Sequence, residues 1–114
     1  MKNALMTLAL LSFLPGVASA AQNITCGDLT FEVPAAIGGL PTVELDYSSK
    51  ATLFSFRDGN LLLVAIDEQD PGRTRLVISA QLNRAKGTYI GQRVRDMGGH
   101  ELQIDNGPIT CTVK

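Results

Sequence analysis

Tryptophan is absent from this 114-residue chain, histidine occurs once, and there are only two cysteines, four phenylalanines and two tyrosines. Each shortage removes a class of chemistry. The single histidine, His100, has no free cysteine to activate, and Ser48, Ser49, Ser55 and Ser79 lie in no nucleophile-elbow pattern. The two cysteines lack C-x-x-C spacing and a neighbouring histidine, which removes a zinc or dithiol redox site. Asp67-Glu68-Gln69-Asp70 lacks the ligand spacing of an EF-hand and reads as a solvated acidic turn. Neither an enzyme nor a metal or organic cofactor is therefore expected. A cationic excess is missing too: ten Lys and Arg stand against eleven Asp and Glu. Nucleic acid, which is held through phosphate neutralisation, is not an expected partner. With Phe31, Tyr47, Phe54 and Phe56 assigned to inward faces by the alternation described below, Tyr89 is the one aromatic left for the surface of the mature chain.

No apolar run after residue 20 is long enough to cross a membrane as a helix. The first twenty residues read as a processing signal. Lys2 gives a positive start, and Ala4 to Leu14 is apolar apart from Thr7 and Ser12. Pro15-Gly16 breaks the run, and Ala18-Ser19-Ala20 supplies a small-x-small cleavage site. Removing 20 of the 114 residues leaves 21–114 as a single domain of 94 residues with net charge −2. Ala21, not a cysteine, follows the cut, so no lipidated N-terminus is implied. The expected compartment is periplasmic or secreted. There a lone cysteine pair near the two chain ends, Cys26 and Cys111, reads as a disulfide tying the first strand to the last.

What is present is β-pattern. Phe54 to Ile66 reads as a hairpin around Asp58-Gly59, a dipeptide suited to a two-residue turn with positive φ. That loop length predicts Arg57 opposite Asn60, Phe56 opposite Leu61 and Phe54 opposite Leu63. Leu53 and Ser55 then share the other face with Leu62, Val64 and Ile66. Alternation predicts further strands over 26–33, 42–47, 73–80, 88–95, 100–105 and 109–113. Their inward sets are Leu29, Phe31 and Val33; Val43, Leu45 and Tyr47; Leu76, Ile78 and Ala80; Ile90 and Val94; Leu102 and Ile104; Ile109, Cys111 and Val113. Asn106-Gly107-Pro108 reads as a turn. The expectation is an all-β domain: a small antiparallel β-sandwich or partly closed β-barrel of about eight short strands, with one end-to-end disulfide.

Charge is unevenly distributed. Residues 21–72 carry eight acids and two bases, whereas 73–114 carry seven bases and three acids. Strand parity predicts Arg75 opposite Arg93 and Arg73 opposite Arg95, four guanidinium groups on one outer face with Tyr89 beside them. Such a cluster suits capture of carboxylate or phosphate. It also suits an internal charge ladder with Glu101 and Asp105. A second binding candidate is the loop Pro34 to Pro41, whose Ile37 and Leu40 either tuck over an open end of the β-structure or form an apolar tip for a partner.

The functional expectation is an exported, monomeric, non-enzymatic binding module. It acts on a protein or anionic envelope partner, with inhibition as one form of that action. The alternative is a structural or adhesive surface subunit that assembles with copies of itself.

Overall fold

The computed structural model describes residues 22–46 and 48–114. The expected signal peptide and Tyr47 lie outside the described residues. Seven strands form: β1 (Asn23–Cys26), β2 (Leu29–Glu32), β3 (Ser49–Arg57), β4 (Asn60–Asp67), β5 (Thr74–Asn83), β6 (Thr88–Asp96) and β7 (Ile104–Val113). All neighbours are antiparallel in one sheet of order β2-β1-β7-β6-β5-β4-β3, curled into a half-barrel. No helix occurs among the described residues.

The β3–β4 hairpin has the predicted register: Arg57 pairs with Asn60, Phe56 with Leu61 and Phe54 with Leu63. Asp58 and Gly59 both take positive φ, 56° and 76°, the mirror-image turn whose twist matches its strands. Leu61, Leu63 and Ala65 are buried on the inner face, joined by Leu76, Ile78 and Ala80 of β5 and by Ile109 and Cys111 of β7. Cys26 and Cys111 are direct cross-strand partners and form the expected disulfide, Cα–Cα 4.2 Å.

Aromatic contacts report the curl. Phe56 of β3 lies 5.3 Å, centroid to centroid, from Tyr89 of β6, although two strands separate them in the sheet. Phe31 of β2 lies 5.9 Å from Phe54 of β3, edge to face, so the two sheet edges meet through side chains without a backbone ladder. The curl is tight at Gly91, which opposes Ala80 and Ile109. A Cβ there would lie 1.9 Å from Ser79 O and 2.5 Å from Ala80 Cα.

Several expectations are corrected. Residues 26–33 are not one strand: Gly27-Asp28 turns the chain, and Cys26 pairs with Leu29. Leu29 and Phe31 keep their inward parity. Residues 42–46 form no strand and pair with no sheet edge, being held by side chains instead: Val43 is buried in the core, Leu45 packs against it, and Asp46 lies 3.8 Å from Arg95. Leu102 and Ile104 are exposed, and 100–103 is loop. Asn106-Gly107-Pro108 lies within β7, not in a turn. Pro108 is tolerated because β1 covers only Cys111 to Val113, leaving that half of β7 unpaired on one side.

The faces of β6 are the reverse of those expected. Tyr89, Arg93 and Arg95 share the inner face, in register with Leu82, Ile78 and Leu76, while Ile90 and Val94 are exposed outside. Gly91 decides this. It is the one β6 residue without a side chain, so it occupies the crowded inner position, and period-two alternation fixes the rest. The outer face consequently carries a cross-strand apolar row, Leu53, Val64, Val77 and Val94.

Candidate functional site

The four arginines do not form the expected outer face. Ala65 pairs with Leu76 but Ile66 pairs with Thr74, so Arg75 is the extra residue of a β-bulge. The bulge reverses parity beyond it, and Arg75 is only 4% exposed. Its Nε donates to Asp67 Oδ2 at 2.9 Å, and its Nη1 donates to the Gly98 carbonyl. Arg73 clamps Asp96 with two nitrogens, Nε to Oδ2 and Nη2 to Oδ1. It also donates to the carbonyls of Gly98, Gly99 and Glu101. The 97–103 segment therefore wraps around Arg73, and the carbonyls of Gly98, Gly99 and Glu101 are spent on guanidinium groups instead of in a strand ladder.

Asp96 is fully buried and accepts, besides Arg73, the N–H groups of Gly98 and Gln103. The Arg73 hydrogen bond, then these N–H donors, hold its carboxyl far below the ordinary value against the opposing effect of burial. Arg75, with the N–H groups of Gln69 and Asp70, likewise lowers Asp67. Neither aspartate stood out in the sequence as a partner for these arginines.

Arg93 pairs with Asp105 at 2.9 Å. Arg95 is mostly buried and lies 3.5 Å from Asp28 and 3.8 Å from Asp46. Arg73, Arg75 and Arg95 are thus brought together at one end of the half-barrel, and Arg93 stands one inner position further along β6. Each is engaged by at least one aspartate. The aliphatic stems suit this placement, since arginine can lay its methylenes on apolar surface and keep its head at a polar rim. Tyr89 is half-buried against Phe56 and is not a surface aromatic. His100 is exposed in the loop that Arg73 gathers. No group of three or more metal-capable side chains occurs among the described residues.

The second candidate is placed differently. Ile37 is fully exposed, at 104% of its reference area, and Leu40 is 52% exposed. Pro41 and Val43 just beyond them are buried, so the loop is anchored on one side while its tip stands in solvent. Between this loop and β3 runs a groove of about 610 Å³. Val33 and the 34–39 loop form one wall, and Phe54, Ser55, Phe56 and Arg57 form the other. Pairing Ile37 with this groove was not legible in the sequence, because parity had assigned both phenylalanines wholly to the core.

No protein-family model, curated protein or solved structure matches the chain, so its geometry alone carries the functional reading.

Proposed function

We propose that the chain is a small exported binding module that recognises a partner protein through the apolar loop at Ile37 and the groove beside it. Occlusion of that partner is the mode of action open to a non-enzymatic domain of this size. The observation that carries the reading is the full exposure of Ile37 at the rim of an apolar groove. An isoleucine held in water forgoes about 1.5–3 kcal/mol of burial, which a docking partner recovers. The arginines support the same reading by default, since each already faces an aspartate. Export to the periplasm or beyond is supported by the Cys26–Cys111 disulfide, which persists in an oxidising compartment.

The test is capture from envelope and secreted extracts by the immobilised, oxidised protein. Wild type and Arg93→Glu should retain one unlike partner, and Ile37→Asp should lose it. Retention by Ile37→Asp overturns the reading.

A second reading, a subunit that assembles with its own copies, is favoured by the outer row Leu53, Val64, Val77 and Val94. Next to it, Leu102 and Ile104 line an outer groove of about 640 Å³. It requires concentration-dependent oligomers in sedimentation velocity that Val94→Lys abolishes.

A further inference from the structure

The groove beside Ile37 is lined by four consecutive β3 residues, Phe54, Ser55, Phe56 and Arg57. A sheet face offers only alternate residues. A groove touching four in succession therefore runs along the strand's edge, and β3 is the last strand of the sheet. The hairpin geometry says which main-chain groups point there. In a two-residue loop the flanking pair, Arg57 and Asn60, is hydrogen-bonded, and bonded pairs recur at every second residue, Ser55 with Leu62 and Leu53 with Val64. The N–H and C=O of Phe54 and Phe56 consequently point away from β4 into the groove. No loop backbone of the described residues bonds to them.

Exposed edges are ordinarily guarded by shortness, charge, proline or a bulge. The other edge, β2, has only four residues and ends in Glu32. The far half of β3 has Lys50 and a bulge between Ala51 and Leu53. Leu53 to Arg57 has neither a bulge nor an inner charge. Its inner side chains, Phe54 and Phe56, are apolar, and the loop wall flanks it.

Resting on the reading above, we infer that the site takes an extended segment of the partner protein as an added β-strand. The segment hydrogen-bonds to Phe54 and Phe56, has apolar side chains at alternate positions, and carries a carboxylate against Arg57. Charge selects that occupant. The groove lining holds one charged residue, Arg57, and no acid. Arg57 is 83% exposed, and its nearest acid, Asp58, lies 3.8 Å away in the same turn. A second copy of β3 would instead align Lys50 and Arg57 of both strands, four cations with no acid in either strand. About four residues of partner chain span the groove, enough for a pair of hydrogen-bonding positions plus a side chain on each face.

The test uses the full oxidised protein and a library of random decapeptides, with hydrogen exchange read residue by residue by NMR. Selected binders should be alternately apolar with a terminal acid. At saturation they should slow exchange at Phe54 and Phe56 by about tenfold or more, with Leu53 and Ser55 already protected in the free protein. N-methylation of the peptide at alternate positions should weaken binding by about tenfold, and at the intervening positions far less. Binders that leave Phe54 and Phe56 exchanging freely, or a library without binders, overturn the inference. Protection of both amides in a concentrated sample without peptide also overturns it, since the occupant is then a second copy. The broader reading is judged apart from these outcomes by capture with Ile37→Asp, which needs no peptide.

Discussion

Arg75 and Asp67 form a buried ion pair because a single bulge turns Arg75 inward, bringing Nη2 within 2.7 Å of Asp67 Oδ2. Arg75→Glu is therefore a core change and not a surface one. It puts a third carboxylate beside Asp67 and Asp96 and removes the guanidinium partner of Asp67, while Asp96 keeps Arg73. Breaking a buried pair from one side costs about 3–5 kcal/mol, and urea denaturation should report a loss of that size. Arg84→Glu, on an exposed turn, should change stability by less than about 0.5 kcal/mol.

Acid should unfold the protein through the same cluster. Asp96 and Asp67 have folded-state values lowered from an ordinary value of 3.8, so the folded state binds fewer protons than the unfolded chain. Their stabilisation is complete above the unfolded value and is lost as pH falls toward the folded values. The melting temperature should be level from about pH 8 to pH 5 and decline below about pH 4. In Asp96→Asn the protein should start less stable, and its acid decline should be shallower.

Gly91→Ala tests the account of the curl. The added methyl would meet β5 backbone, which cannot rotate away as a side-chain tip can. Destabilisation should reach the upper end of the ~1–3 kcal/mol typical of overpacking. At Gly59 the space is adequate, with Leu82 Cβ at 3.6 Å from the new atom, so a cost there comes from positive φ instead. Gly59→Val should lose about 1–3 kcal/mol.

The hairpin was legible because its information is local: Asp58-Gly59 sets the loop length, and the loop length sets the register. The disulfide was legible from a lone cysteine pair placed near the two ends of the expected mature chain. The arginine positions were not, because side-chain parity along a strand survives only until a bulge, and nothing local marks Arg75 as the extra residue. The β6 faces were misassigned for a related reason. Ile90 and Val94 look like an inward pair, but the curl demands a residue without a side chain, and Gly91 supplies it with the opposite parity. The edge groove escaped notice because it depends on which strand ends the sheet. That is a property of topology, and alternation within a strand cannot reveal it.

Reduction of Cys26–Cys111 should be costly. The bridge spans 85 residues, and a loop of that length corresponds to about 4–5 kcal/mol in the chain-entropy view. Thermal melts with and without reductant should differ by well over ten degrees for a domain of this size. Mass spectrometry of the natural protein should find Ala21 as its N-terminus and a mass two hydrogens below that of the reduced chain.

The central claim is that recognition belongs to the apolar loop and edge, and that the arginines belong to the fold. Titration calorimetry of the captured partner against wild type, Ile37→Asp and Arg93→Glu tests it most directly, with each variant's melt recorded alongside. Ile37→Asp should melt as wild type does and weaken binding by about thirtyfold or more, the scale of an interface hot spot. Arg93→Glu should lose some stability and keep its affinity within about threefold. The reverse pattern, with affinity lost in Arg93→Glu and kept in Ile37→Asp, would contradict the account.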